Sequence, residues 1–146
     1  MERKELFEFF EQRFGIGRQE FEGLEFYEKS KGRVYAVNKY AFAFLDKVNT
    51  VSAGLLFARK HATIKPSSNI IQIFGKRATR NILVIDKEQA KSYIRGFDLE
   101  VEDKGNCANG YVIVKYKDYP LGIGLLKENT LKNMLQKGKR INVEIL

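Results

Sequence analysis

From Ile82 onward the apolar residues come in short runs separated by turn residues, and that pattern restricts this half of the chain to a sheet-rich fold. Ile82–Ile85, Leu99–Val101, Tyr111–Tyr116, Leu121–Leu126 and Ile141–Ile145 each read as a strand. Two helices are expected between them. Asp86 can cap one that runs to Arg95, with Glu88 early and Arg95 late, both favourable to the helix dipole, and Gly96 to close it. The other spans about Asn129 to Gln136. In Tyr119-Pro-Leu-Gly-Ile-Gly124, Pro120 can start a strand, while Gly122 and Gly124 on one face allow tight curvature or a close approach of backbone.

The first half reads differently. Leu6, Phe7, Phe9, Phe10 and Phe14 fall at helical spacing with Glu5, Glu8 and Glu11 among them, and Gly15 supplies the stop, so this stripe is a core-facing helix face. A short helix is expected over Arg18–Glu22, then a hairpin over residues 24–38 with its turn at Gly32. A helix or loop follows around Tyr40–Lys47. Val51–Arg59 and His61–Lys65 read as two strands joined near Lys60, and Pro66 as the first residue of a helix that carries Ile70, Ile71, Ile73 and Phe74 and ends at Gly75. The fold class is therefore α+β: a small N-terminal domain over residues 1–80 and a β-rich domain over 81–146, with a compact boundary near residues 78–82 and no linker.

Charge is distributed unevenly. The chain has 26 Lys and Arg against 18 Asp and Glu, a formal net of +8. Residues 1–30 carry five bases and eight acids, residues 81–146 eleven and nine. Residues 31–80 carry ten bases (Lys31, Arg33, Lys39, Lys47, Arg59, Lys60, Lys65, Lys76, Arg77 and Arg80) and one acid, Asp46. Solubility needs no such exclusion of acids, because mixed signs suffice and repel less; binding of phosphates gives a reason for it.

Catalytic groups are scarce. His61 is the sole imidazole and has no nucleophile in a recognisable frame; Cys107 lies in a turn-rich loop. One cysteine and one histidine allow neither an internal disulfide nor a zinc spacing, so no metal is expected. Gly15-Ile-Gly17 and Gly122-Ile-Gly124 do not extend to a dinucleotide fingerprint, and no phosphate loop is present, so no cofactor is expected either. Glu100 and Glu102 share a strand face with nothing to mark them as an acid–base pair. No apolar run approaches the roughly 18 residues of a membrane span, and the chain starts Met-Glu-Arg-Lys, so a soluble, reduced, cytoplasmic protein is expected. What remains is a binding inventory: Gly75-Lys76-Arg77 and Gly138-Lys139-Arg140, each expected at a helix exit, and Tyr35, Tyr40, Tyr93, Tyr116 and Tyr119, which could stack on unpaired bases if they cluster.

Residues 82–126 resemble a PUA domain. The resemblance is carried by Ile82-Leu-Val-Ile-Asp86, the helix to Tyr93-Ile-Arg-Gly-Phe-Asp98, Gly110-Tyr-Val-Ile-Val114 and Tyr119-Pro-Leu-Gly-Ile-Gly124. Leu131-Lys-Asn-Met to Gly138-Lys-Arg-Ile is similar to segments of the PUA-like module of RNA cytosine-5 methyltransferases. Lys65-Pro-Ser-Ser-Asn to Phe74-Gly75 is similar to the companion region of small archaeal proteins that join an N-terminal α/β domain to a C-terminal PUA domain. The resemblance implies a PUA-like mixed β-barrel in the C-terminal domain and binding of structured RNA, ribosomal or transfer RNA, in ribosome biogenesis or RNA modification. Methylation does not carry over: the chain has no cofactor-binding domain and no Pro-Cys motif, so a non-enzymatic role is expected. The surface implied for PUA domains is Arg95, Gly96 and Phe97 with Lys139 and Arg140 opposite. Lys76, Arg77 and Arg80 extend it, and the basic block adds Lys31, Arg33, Arg59, Lys60 and Lys65. A competing reading is an adaptor that delivers a separate RNA methyltransferase or ribosome assembly factor, marked by an exposed apolar patch. A third is a small nucleic-acid-processing enzyme with His61 or Cys107 in a pocket beside carboxylates.

Overall fold

The computed structural model describes residues 3–30, 32–39 and 54–141. Helix α1 (Arg3–Phe14) turns Leu6, Phe10 and Phe14 into the interior, and a 3-10 turn (Arg18–Phe21) adds Phe21. These rings meet Phe57 at centroid separations of 4.9 Å for Phe10 and 5.1 Å for Phe21, geometry worth more than area burial alone. The phenylalanine stripe is thus core, as its spacing predicts.

Strands β1 (Leu24–Glu28), β2 (Arg33–Asn38), β3 (Leu55–Lys60) and β4 (Ile64–Pro66) form an antiparallel sheet in that order. Between β2 and β3 the register slips: Val34 faces Ala58 and Tyr35 faces Leu56, so Phe57 is an extra residue. The bulge lets the neighbours Phe57 and Ala58 both enter the core and leaves Leu56 and Arg59 together on the outer face. Pro66 does not start a helix. It ends the edge strand β4, where an absent N–H costs no ladder bond; Ser67 instead caps α2 (Ser68–Phe74), accepting from the Ile70 amide at 3.2 Å. The helix or loop expected over residues 40–47 and the start of the expected strand, residues 51–53, lie outside the described residues.

The second sheet runs β5 (Ile82–Val84), β7 (Gly110–Tyr116), β8 (Tyr119–Lys127), β9 (Thr130–Asn133) and β6 (Leu99–Glu100), with β5 parallel to β7 and the other pairs antiparallel. Helix α3 (Lys87–Ile94) opens on a full capping box between Asp86 and Gln89. The outermost strands β5 and β6 end on opposite sides of one groove, Val84 to Asp86 against Glu100 to Asp103, so the sheet curls into a half-barrel. The helix expected over Asn129–Gln136 is absent. Its first half is β9, in which Leu131 and Asn133 point inward and Thr130 and Lys132 outward; consequently Gly138 and Lys139 lie in a 3-10 turn (Lys137–Lys139) that Arg140 closes, rather than at the exit of an α-helix. Of the expected strand 141–145 only Ile141 is described, its amide bonded to the Ile94 carbonyl at 2.8 Å.

The two sheets share their packing. The first core, built on the phenylalanines and α2, includes Ile113 and Ile123 from the second sheet. Asn81 fastens the seam: its amide donates to the Arg13 carbonyl at 2.6 Å and its side-chain oxygen accepts from the Ala108 amide at 2.9 Å. Gly122 is required by close approach, though of side chains rather than backbone. A Cβ there would stand 2.6 Å from Tyr93 Oη and 3.1 Å from Leu135 Cδ1, both buried, and Tyr93 Oη donates to the Ile123 carbonyl at 2.7 Å. Gly122→Ala is therefore expected to cost about 1–3 kcal/mol by overpacking, read as a lower denaturant midpoint at unchanged slope.

Candidate nucleic-acid interface

Cross-strand register gathers the basic block into a row. Arg33 on β2 lies directly opposite Arg59 on β3, and Arg59 directly opposite Lys65 on β4, so three cations stand side by side on the outer face of the first sheet. Like charges placed opposite each other oppose sheet formation. The strain registers on Lys65: burial, and then the charges of Arg59 and Lys132, hold its ammonium below the ordinary lysine range.

The row runs into a cleft of about 600 Å³ between β4 and the segment that follows β9. Arg59, Lys65, Lys137 and Arg140 line it together with Ser67, Ser68, Asn133 and Gln136, and no carboxylate does so among the described residues. Lys132 and Lys137 were not singled out in the sequence. The signal for Lys132 is its outward place in a strand-period segment whose apolar residues also fit a helix.

Asn133 builds the far wall. Its side-chain nitrogen donates to the carbonyls of Tyr93 at 2.7 Å and Phe97 at 2.9 Å, its oxygen accepts from the Leu135 amide at 2.9 Å, and its own amide donates to Asp98 Oδ1 at 2.8 Å. These bonds clamp the turn after α3 onto the turn after β9. Arg140 then crosses Gly96: with φ +98°, Gly96 adopts a backbone that other residues resist, and a Cβ there would lie 2.6 Å from Arg140 Cδ. Arg140 is steadied by a bond from Nε to the Leu135 carbonyl at 3.2 Å. Arg95, Gly96 and Arg140 thus meet at one corner, with the Phe97 ring beside them 62% exposed.

Other candidates are engaged elsewhere. Lys60 points to the opposite side and pairs with Glu5 at 2.6 Å. Arg77 pairs with Glu20 at 2.5 Å and covers the Phe74 ring, Lys76 lies over the Tyr119 ring at 5.8 Å, and Arg80 donates to the Glu11 carbonyl at 3.2 Å. Lys139 donates to Gln72 at 3.2 Å. Lys31 lies outside the described residues, as does Tyr40. Among the other tyrosines, Tyr93 is buried in the second core and Tyr116 is covered by Lys117, whereas Tyr35 stacks on Tyr27.

Neither reactive candidate reaches the cleft. His61 sits in the β3–β4 turn, its amide bonded to the Thr63 carbonyl at 3.1 Å. Burial pushes the Cys107 thiol up, with Arg13 opposing the shift, which leaves less of the nucleophilic thiolate at neutral pH. No group of three or more His, Cys, Asp or Glu is placed to hold a metal among the described residues, and no described helix is long and apolar enough to cross a membrane.

Comparison with known proteins yields two family matches. Residues 80–141 match the methyltransferase RsmF PUA domain, and residues 1–48 match a family of unknown function, DUF7122. Among curated proteins, the chain is 34% identical over 96 residues to a ribosomal RNA small subunit methyltransferase F of Shewanella oneidensis, covering 64% of this chain and 20% of that protein. A protein of the same name from Psychromonas ingrahamii is 23% identical over 145 residues, covering 90% of this chain and 27% of that protein. The chain therefore spans about a fifth to a quarter of the length of these relatives.

Proposed function

We infer, from a chain whose residues 80–141 form a PUA domain related to the C-terminal module of RNA cytosine-5 methyltransferases, that it binds structured RNA, with ribosomal RNA as the leading substrate class. The observation that carries this reading is a cleft with no acid among its described lining residues: Arg59, Lys65, Lys137 and Arg140 converge there from both halves of the molecule. Side chains that disfavour one another at such spacing are stabilised together by a run of phosphates, with arginine forks supplying bidentate contacts and lysines point charges. Arg33 and Lys132 extend the same field on either side. Arg95, Gly96 and Phe97 form its PUA corner. Lys60, Lys76, Arg77, Arg80 and Lys139 shape the surrounding potential while holding contacts within the protein.

The N-terminal unit, residues 1–80, supplies half of this cleft and acts with the C-terminal one as a single RNA-binding body. We propose that its role is non-catalytic: the cleft holds cations, hydroxyls and amides but no carboxylate, thiol or imidazole among its described lining residues, so Ser67, Ser68 and Lys65 stand there with no such partner to activate them. The test is the salt dependence of binding to a structured ribosomal RNA fragment. Four to six phosphates neutralised predict a log–log slope of roughly −3.5 to −5.5. A slope near zero, or no binding at low salt, overturns the reading.

A further inference from the structure

The outer face of the first sheet carries more than charge. Tyr27 on β1 stands directly opposite Tyr35 on β2, and their rings stack at 5.6 Å with planes 16° apart. Tyr35 lies two residues beyond Arg33 on the same strand face, and Leu56, which faces Tyr35 across the bulge, lines the cationic cleft with Arg59. Both residues are partly exposed, with the Tyr27 hydroxyl turned into the protein. A single side of the sheet therefore presents, in order from β1 to β4, a tyrosine pair, the cation row and the mouth of the cleft. The distance from Tyr35 to Arg33 along the strand is about 7 Å, which one nucleotide spans from its base to its phosphate.

We propose that this face is a binding track for unpaired RNA, in which a base stacks on the Tyr35–Tyr27 pair while Arg33, Arg59 and Lys65 hold the phosphates that lead into the cleft. The track rests on the RNA-binding reading above and narrows it. Duplex RNA cannot use the tyrosines, because its bases are already stacked and its readable groove displays sugars and edges. An extruded or single-stranded base offers its whole face, and base–aromatic stacking is tolerant of sequence. The tyrosines are fixed for this by each other. Gly54 adds to the fit: a Cβ there would come within 2.7 Å of Tyr27 Oη. A carboxylate on the same face, Glu25, lies at the far end of β1 and is held by Arg3 at 2.7 Å, away from the row.

Two probes separate the track from the general reading: a 12-nucleotide oligouridylate and a 12-base-pair RNA duplex, titrated into the full chain at one ionic strength. Tyr35→Leu is expected to weaken oligouridylate binding by about tenfold or more while leaving duplex binding within twofold, and Tyr35→Phe to retain both. Photocrosslinking of the unmodified protein to 5-bromouridine RNA should place adducts on Tyr35 or Tyr27. No loss on oligouridylate, equal loss on both probes, or adducts confined to other surfaces would overturn the track. Duplex binding that persists in that case leaves the RNA-binding reading standing; absence of binding to either RNA removes both.

Discussion

Asn133→Ala should lower stability by about 3 kcal/mol, a fall in melting temperature of roughly 10 °C for a domain of this size. The side chain is 7% exposed and makes three bonds to main-chain groups. Truncation removes the donor for the Phe97 carbonyl and the acceptor for the Leu135 amide. The Tyr93 carbonyl loses less, because it also accepts from the Gly96 amide at 2.9 Å. Buried groups left unpaired cost far more than a bond exchanged with water gains. Asn133→Asp is expected to be at least as damaging: it turns the donating end into a carboxylate that faces two carbonyls, beside Asp98, which already accepts from the residue 133 amide. Lys132→Ala, one residue away on the outward side of β9, should stay within about 0.5 kcal/mol. Equal effects at 132 and 133 would refute the clamp. The same variant tests the site, since loss of the clamp frees the turn that places Arg140 over Gly96.

The limits of the sequence reading trace to two ambiguities of period. Unambiguous signals have one physical use, and the Leu6–Phe10–Phe14 stripe and the Asp86 cap are each used that way; Gly122 and Gly124 answer a close approach, but of side chains and not of backbone. The segment after Asn129 had two. Leu131, Met134 and Leu135 fit a helical face, while Leu131 and Asn133 fit a strand's inward side, and a buried asparagine is invisible to a reading that counts only apolar residues. Long-range pairing decided it, through Leu131 opposite Leu126 on one side and Leu99 on the other. Pro66 was similarly divided between a helix start and an edge-strand end, and Ser67, one residue on, took the capping role.

The site was legible as a composition and not as a shape. Counting bases by segment located the excess in residues 31–80, but it could not distinguish Arg59 from Lys60. Register does: the bulge sends Arg59 outward beside Arg33 and Lys65, and leaves Lys60 to Glu5 on the helix side. The lysines at 132 and 137 joined the field only because the chain folds back as β9 and a turn. Charge pattern along a chain thus predicts a class of partner, while strand pairing selects which cations meet it.

The cation row should therefore oppose stability while serving binding, and the double variant Arg59→Gln with Lys65→Gln separates the two. Removing both charges relieves Arg33 of one neighbour and the cleft of a half-buried ammonium, so the unliganded protein should gain about 0.5–1 kcal/mol. RNA affinity should fall by roughly 100-fold at moderate salt, with the log–log salt slope shallower by about 1.5. The pH dependence carries the same sign. Because the Lys65 ammonium is held below its ordinary value in the folded state, the unfolded chain binds its proton more tightly, and this residue's contribution to stability rises as pH climbs from its lowered folded value toward the unfolded one. Phosphate in the cleft reverses the balance: it favours the charged form and lifts the Lys65 value back. Bound RNA should then raise the melting temperature of the native protein more than that of the double variant, and Lys65→Gln alone should flatten the alkaline rise in stability. A variant that binds RNA as tightly as the native chain would show that the row has no part in recognition, and one that melts several degrees lower without RNA would show that the row does not oppose stability.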